Sequence, residues 1–226
     1  MEIKSAIKSV WSKINILDYC RRYKMRRRLK NRTISFLCPN CIGGILFHDL
    51  GLKFLSPTVN LMMFQTDFVK WVLNLDRYNA QKLIFFNHPQ YSFPCAHLGD
   101  LTIHFTHYKT EMQAKEKWEE RVKRINKNNM FIFAEERDGL TRENILALGK
   151  LSVKGIVVFT AHDYPDIPYA LYIPKYQKEG EVGNVLKKCY VTGKHEYENI
   201  FDFVKWFNEA NGGNYDISNF VKKSRG

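Results

Sequence analysis

The chain has 226 residues, of which 45% are hydrophobic, and this length can bury one sizeable core. No segment reaches the roughly 18 apolar residues of a membrane span, and residues 1–11 lack the apolar centre of a secretory signal. The composition therefore excludes an integral membrane protein and favours a cytoplasmic one. The five cysteines follow no framework spacing, so we expect reduced thiols rather than disulfides.

The net charge of +12 is concentrated at one end of the chain. Residues 1–32 contain eleven Lys and Arg against two acidic residues, whereas residues 33–226 contain 24 basic and 21 acidic residues. A basic arm on a nearly neutral body does not form the broad positive surface that a nucleic acid backbone requires. No nucleic-acid recognition motif is visible either, so we do not expect nucleic acid as a partner.

The basic arm itself has the pattern of an amphipathic helix. Its apolar residues recur at steps of three and four: Ile3, Ile7, Val10, Ile14 and Leu17. We predict a helical arm over residues 1–32 and a single α/β domain over 33–226. Two interpretations of the arm stay open: a helix packed on the domain, or peripheral contact with the anionic inner face of a membrane, where each basic residue contributes about 1 kcal/mol.

The body alternates β-rich runs with helical periodicity. The predicted strands are 33–37, 82–86, 101–105, 130–134, 155–160 and 170–173. The predicted helices are 45–50 with Gly51 as its stop, 67–78, 111–126, one that opens at Thr141, and 198–208 with Phe201, Val204 and Phe207 as its inner face. This alternation predicts a layered α/β fold with a mostly parallel, Rossmann-like sheet and flanking helices, in which one strand pair can be reversed.

Polar residues gather where the predicted strands end. In open α/β sheets, ligands bind outside the carboxyl ends of the strands. The residues at these exits are Cys38, Asn40, Cys41, His107, Tyr108, Glu135, Glu136, Arg137, Asp138, Thr160, His162 and Asp163. If the strands are parallel neighbours, a thiol, an imidazole and a carboxylate converge on one cleft.

The turn over residues 40–44 has the composition of an anion site. Glycine permits close approach of the backbone, and a helix N-terminus presents unpaired N–H groups to a phosphate or an oxyanion. The candidate anion-binding residues are Asn40, Gly43 and Gly44. The alternative is a tight turn in which the glycines serve packing alone.

Cys41 is a candidate nucleophile, because a helix start favours a thiolate. His107, at a strand exit, is the candidate general base, while His104 faces the other side of the strand and is expected to be structural. Asp138 would orient the imidazole. The spacing of Cys38 and Cys41 also fits half a zinc site or a redox pair, but no second ligand pair follows at metal spacing.

Glu136 and Asp138 could hold a divalent cation, Mg²⁺ or Mn²⁺, that bridges a diphosphate. The alternative is ordinary turn chemistry at Asp138 and Gly139. Tyr108, Arg137 and His162 complete the predicted site as substrate-binding residues.

The chain resembles a small bacterial family of unknown function that is usually labelled exopolysaccharide biosynthesis protein. The matching stretches lie within residues 33–210: Asn40 to Gly44, Leu50 to Leu52, Ser56 to Leu61, Gly99-Asp100, Phe105 to Tyr108, Lys117-Trp118, Arg121, Arg124 to Asn126 and Arg137 to Thr141. The chain departs from the family pattern at Cys38-Pro39, where polar residues such as Ser-Asn are more frequent. The resemblance implies a compact α/β fold and a role in bacterial surface-polysaccharide assembly, and it assigns no catalytic residue.

Three functions fit these observations. The favoured one is a transferase, for glycosyl or related groups, that acts on a sugar or nucleotide-sugar, with phosphate at residues 40–44, a metal at Glu136 and Asp138, and His107 as base. The second is a cysteine-dependent acyltransferase or hydrolase with Cys41 as nucleophile. The third is a non-catalytic assembly factor of a polysaccharide complex. A cleft shared by Cys41, His107 and Asp138 is expected of an enzyme.

Overall fold

The structure, a computed structural model, describes residues 16–212 and 215–222. The helices are α1 (16–28), α2 (Ile42–Leu50), α3 (Gln65–Leu73), α4 (Leu75–Asn79), α5 (Glu111–Val122), α6 (Arg142–Leu148), α7 (Tyr197–Ile200) and α8 (Phe203–Glu209). The strands are β1 (Ser35–Leu37), β2 (Ile84–Phe86), β3 (Cys95–Leu98), β4 (Leu101–His104), β5 (Met130–Glu135), β6 (Gly155–Thr160) and β7 (Ala170–Tyr172). Most of the predicted arm stripe, from Ile3 to Ile14, lies outside these residues.

The main sheet has four parallel strands in the order β1-β5-β6-β7. Every residue of the central strands β5 and β6 is buried, which explains why their sequences are continuous apolar runs rather than alternating ones. The predicted layered α/β fold with a parallel sheet and flanking helices is therefore confirmed.

A second sheet is antiparallel and has the order β2-β3-β4. β3 was not predicted, because Pro94 and Gly99 bracket it and make the stretch look like a loop. Leu98 pairs with Leu101 across the two residues Gly99 and Asp100, and Gly99 has the positive φ of 63° that this tight turn requires. β4 belongs to this second sheet and is therefore not a parallel neighbour of β1. The predicted convergence of Cys41 and His107 on one cleft had relied on such a parallel pair.

Two predicted long helices are divided by local capping. The helix expected over 67–78 breaks at Asn74 into α3 and α4. The helix expected over 198–208 divides into α7 and α8, because the Asp202 side chain accepts a hydrogen bond from the Lys205 N–H and starts a new helix. Gly51 ends α2 at φ 65°, as its position after the last apolar residue predicts.

Aromatic rings fill the layer between the main sheet and α8. Phe36 and Phe131 project from neighbouring strands against Trp206 and Phe207, with ring centroids 4.8 to 6.4 Å apart in edge-to-face contacts. Phe201, Val204 and Phe207, predicted as the inner face of the last helix, are all buried. The same layer continues along the strands, since Phe133 and Phe159 also contact Phe203.

The described part of the basic arm packs on the domain. Met25 and Leu29 of this region join the hydrophobic core, whereas Leu17, the last residue of the predicted apolar stripe, is 47% exposed. Arg21 forms ion pairs with Asp49 at 2.6 Å and Glu198 at 3.0 Å. The inner face of α1 is thus partly ionic, which a stripe of apolar residues did not predict.

Candidate functional site

An open cleft of about 410 Å³ lies where the chain leaves β1, β4 and β5. Its volume falls within the range of small-molecule sites. The lining residues are Asn40, Cys41, Met62, Met63, Phe64, Gln65, Thr106, His107, Arg137, Asp138 and Leu186. The structure therefore places the predicted Cys41, His107 and Asp138 on one cleft.

The short segment at Met62 and Met63 brings the two sheets together at this cleft. Met62 exchanges two backbone hydrogen bonds with His104, at 2.8 and 2.9 Å, and so extends the second sheet. The next residue, Met63, donates its N–H to the carbonyl of Pro39 at 2.9 Å, just before α2. His107 thus reaches Cys41 through a connecting segment, and not through the parallel strand pairing that the sequence analysis assumed.

Cys41 Sγ lies 3.3 Å from His107 Nε2, within hydrogen-bond distance for sulfur. Cys41 is the N-cap residue of α2 and is half-buried, and His107 is exposed. Burial raises the pKa of the Cys41 thiol, so the protonated thiol is the resting form. A thiol at a helix N-terminus with an imidazole beside it is the arrangement of an activated nucleophile, since the imidazole can accept the thiol proton.

Arg137 and Asp138 form the charged side of the cleft. The Nε atom of Arg137 lies 3.6 Å from Asp138 Oδ1, so the carboxylate faces the guanidinium. Asp138 adopts φ 53° and Gly139 follows with φ 75°, a sharp turn that carries both side chains past the end of β5. The described contacts of Asp138 are with Arg137, and none with His107 is formed. The arrangement presents a cation and an anion to a ligand.

Asn40 forms the wall of the cleft beside the thiol. Its Oδ1 accepts a hydrogen bond from the Ile42 N–H at 3.0 Å, and its Nδ2 donates to Glu135 Oε2. Glu135 is buried at the end of β5, and its own N–H donates to Gln65 Oε1 at 3.1 Å. Burial raises the pKa of Glu135 to about 8 against the opposing influence of Arg137 and Asn40. Glu135 was predicted to lie at a strand exit, but no role was predicted for it.

The two glycines of the predicted anion turn serve packing. A Cβ on Gly43 would lie 2.5 Å from Cys38 Sγ, and one on Gly44 would lie 3.1 Å from Asn60 Oδ1. Cys38 is buried, and burial raises the pKa of its thiol to about 12. Of the three predicted anion-binding residues, only Asn40 lines the cleft, and the Ile42 N–H already occupies its carbonyl oxygen.

Glu136 and His162 belong to a separate cluster away from the cleft lining. Glu136 Oε2 accepts hydrogen bonds from the N–H groups of Ala161 at 2.7 Å and His162 at 3.0 Å, and Oε1 contacts Tyr164 Oη at 2.5 Å and His162 Nδ1 at 2.9 Å. Although burial opposes ionisation, hydrogen bonds from Tyr164 and His162 lower the pKa of Glu136. Both carboxylate oxygens are occupied by protein donors, and this does not match the predicted metal role.

Over residues 16–212 and 215–222, no three His, Cys, Asp or Glu side chains are grouped as a metal site requires. Asp138 lines the cleft, whereas the Glu136 carboxylate is held by residues at the exit of β6. The structure therefore does not bring the two predicted metal ligands into one donor set.

Tyr108 does not line the cleft. The side chain is buried, and its Oη donates to the Val59 carbonyl at 3.2 Å and accepts from Arg121 at 2.7 Å. The predicted substrate contact at Tyr108 is therefore not part of this arrangement. Sequence reasoning missed the apolar lining residues Met62, Phe64 and Leu186, because they come from irregular segments that no strand-exit pattern marks.

The fold and the cleft define a layered α/β protein that carries a thiol–imidazole pair at the carboxyl edge of its main sheet. Residues 13–208 match the family described as "Domain of unknown function (DUF1919)", and the chain belongs to this family. The match includes α1 and every residue that lines the cleft.

A Haemophilus influenzae protein with the description "Uncharacterized protein" is 39% identical over 186 residues, which is 82% of this chain and 89% of that protein. In the part of the chain that the structure describes, no helix combines the length and the apolar character needed to cross a membrane.

Proposed function

We propose that the protein is a thiol-dependent acyltransferase or hydrolase in which Cys41 is the nucleophile and His107 the general base. The observation that carries this proposal is the 3.3 Å separation of Cys41 Sγ and His107 Nε2 in an open cleft. A nucleophile and a base within hydrogen-bond reach are the geometric signature of covalent catalysis.

In the first half of the reaction, His107 takes the thiol proton and Cys41 Sγ attacks the carbonyl carbon of an activated ester or thioester. A carbon–sulfur bond forms, the bond to the leaving oxygen or sulfur breaks, and His107 gives its proton to the leaving atom. In the second half, an acceptor hydroxyl or a water attacks the thioester, and His107 carries its proton to the departing thiolate.

The lining of the cleft supports a substrate with an apolar and an anionic part. Met62, Phe64 and Leu186 offer apolar surface, and Arg137 offers a guanidinium in the same lining. An acyl group fits the first surface and a phosphate or carboxylate fits the second. We propose a sugar hydroxyl of a bacterial surface polysaccharide as acceptor, a choice that rests on the family resemblance.

A metal-dependent glycosyl transfer to or from a nucleotide-sugar is the weaker proposal. It needs an anion-binding turn and a pair of free carboxylates, whereas Gly43 packs on Cys38 and Glu136 is engaged by four protein groups. A non-catalytic assembly role leaves the thiol–imidazole contact unexplained. The proposed chemistry needs a reduced thiol, which suits the cytoplasm, and all five cysteines are free.

The test is formation of an acyl-enzyme from p-nitrophenyl acetate. The exposed Cys20 and Cys189 are replaced by Ser, so that Cys41 is the accessible thiol of the remaining three. We expect a burst of p-nitrophenol and an acetyl adduct that peptide mass spectrometry locates on Cys41. The Cys41→Ser variant should lose the burst, and His107→Asn should slow acylation by about 10²-fold or more.

The matched control is His48→Asn, which removes an exposed imidazole at the other end of α2 and should leave the burst unchanged. An acetyl adduct on Lys residues alone, or a burst that survives in Cys41→Ser, would show that Cys41 is not the nucleophile. Equal acylation rates in His107→Asn and His48→Asn would show that His107 is not the general base.

A further inference from the structure

Exposed large apolar side chains are concentrated at one corner of the molecule. Among the described residues these are Ile16, Leu17, Tyr19, Tyr23, Phe64, Ile84, Met112, Leu146, Tyr190, Val191 and Val221. Six of these eleven belong to α1 or to the pair Tyr190 and Val191. An exposed group of apolar side chains on a folded protein marks an interaction surface.

The orientation of α1 is fixed by its inner face. Arg21 is paired with Asp49 and Glu198, and Arg26 donates to the carbonyls of Asp49 at 2.8 Å and His48 at 3.1 Å, where α2 ends. Met25 is buried beside them. At 100° per residue, Ile16 and Tyr23 lie about opposite to Met25 and Tyr19 lies to one side. The contacts of the inner face therefore fix the rotation of α1, and this rotation turns Ile16 and Tyr23 toward the outside.

The loop that carries Tyr190 lies against the same helix. Lys188 Nζ is 3.6 Å from Asp18 Oδ2, and Gly193 packs so closely on Asp18 that a side chain there would collide with it. Two hydrogen bonds of 2.8 Å between the Cys189 and Gly193 ends of the loop close a tight turn. Tyr190 and Val191 at its tip are 84% and 55% exposed.

Basic side chains surround this apolar group. Lys24 and Arg27 are exposed on α1, and Lys187 and Lys188 are exposed at the base of the loop. The Arg27 guanidinium lies 5.8 Å from the centre of the Tyr23 ring. The acidic residue of this helix, Asp18, points to Arg21 and Lys188 rather than outward. The surface is thus apolar and aromatic at its centre and cationic at its edge.

We propose that this tyrosine surface, formed by Ile16, Tyr19, Tyr23, Tyr190 and Val191, docks on an anionic lipid membrane. Tyrosine is enriched where proteins meet the headgroup layer, and long basic side chains extend toward lipid phosphates. The basic side chains at the edge of the surface complement the negative surface potential of an anionic leaflet, which favours such a lipid surface as the partner. The proposal is independent of the chemistry at Cys41.

Two native cysteines allow a direct test with the full chain. Cys20 lies on the outer face of α1 and Cys189 lies next to Tyr190, and both are exposed. An environment-sensitive dye is attached to one of them while the other and Cys41 are Ser. The reference is Met112→Cys in a chain with Cys20, Cys41 and Cys189 replaced by Ser, because Met112 is 71% exposed on α5.

On vesicles of phosphatidylglycerol and phosphatidylcholine we expect a blue shift of the dye at Cys20 and Cys189 and none at position 112. Vesicles of phosphatidylcholine alone, or salt near 1 M, where the Debye length is about 3 Å, should abolish the shift. The triple variant Tyr19→Ser, Tyr23→Ser and Tyr190→Ser should lower the partition coefficient about tenfold or more. The control pair Ile84→Ser and Met112→Ser should bind as the wild type does.

Three outcomes would overturn the proposal. The first is no shift at either native cysteine on anionic vesicles. The second is a triple variant that binds as tightly as the control pair, which would move the contact to another part of the chain. The third is a shift that appears without lipid as the protein concentration rises, which would make the surface a contact between two copies.

Discussion

Asn40 donates a hydrogen bond to the buried carboxyl group of Glu135, and this bond joins the end of β5 to the turn that carries Cys41. The Asn40 side chain also accepts the N–H of Ile42, so one amide links the sheet to the first turn of α2. The position of the thiol therefore depends on a buried acid that does not itself touch Cys41.

Glu135→Gln should change how stability depends on pH. Burial raises the pKa of Glu135 from 4.5 to about 8, so between these values the folded protein holds a proton that the unfolded chain releases. Rising pH then favours the unfolded state, by up to about 1.4 kcal/mol per pH unit from this group. Chemical denaturation from pH 4 to pH 9 should show this slope in the wild type and lose it in the variant. An unchanged slope would contradict a protonated Glu135.

Glu136→Gln should act at the opposite end of the pH scale. Hydrogen bonds from Tyr164 and His162 lower the pKa of Glu136, so its ionised form stabilises the fold above the unfolded pKa. This contribution is lost as the pH falls through the lowered value, and the wild type should therefore be more sensitive to acid than the variant. The midpoint of acid unfolding measures it. If Glu136→Gln steepened the loss in acid, the assigned hydrogen bonds would be wrong.

Asn40→Ala should weaken both the fold and the reactivity of the thiol. The variant leaves the Glu135 carboxyl and the Ile42 N–H without their partner, at a cost of about 1–3 kcal/mol. The rate of alkylation of Cys41 by iodoacetamide should also fall, because the turn no longer holds Cys41 beside His107. Asn87→Ala, at an exposed amide, is the control. A variant with wild-type stability and alkylation rate would show that the link has no consequence.

Gly43→Ala should destabilise the protein by about 1–3 kcal/mol, because its methyl group would meet Cys38 Sγ at 2.5 Å. Replacement of Cys38 by Ala removes that sulfur, so the double variant should lose less stability than the two single changes added together. Thermal or urea unfolding of the four proteins measures the coupling. Strict additivity would mean that Gly43 is required for another reason, such as anion binding.

Arg21→Met should cost about 3–5 kcal/mol, because it leaves two buried carboxylates, Asp49 and Glu198, without their partner. Arg27→Met on the outer face of α1 is the matched control and should be nearly neutral. Deletion of residues 1–30 should be at least as harmful as Arg21→Met, since it also removes Met25 and Leu29 from the core. A truncated chain that unfolds like the wild type would make the basic helix a separable arm.

Local sequence patterns determined the parallel core of the fold and part of the candidate site. The runs at 130–134 and 155–160 predict buried strands because a strand covered on both faces needs apolar residues at every position, and both strands are present. The pattern also marks Cys41, His107, Arg137 and Asp138 as polar residues beyond strand ends, and they share the cleft. A continuous apolar run and the polar residues that follow it are both features of one short segment, so the sequence of that segment is enough to predict them.

Tertiary structure alone decided how these residues meet. The pairing of Met62 with His104, the approach of Leu186 to the cleft and the turn of Glu136 toward His162 join residues far apart in the chain. Nothing in their periodicity specifies such partners, because a hydrogen bond or a contact depends on where two chain segments pack and not on the residues beside them. The periodicity of α1 predicts a helix. Its exposed tyrosines and its ionic inner face depend on how this helix packs on the domain, so only the tertiary structure shows them.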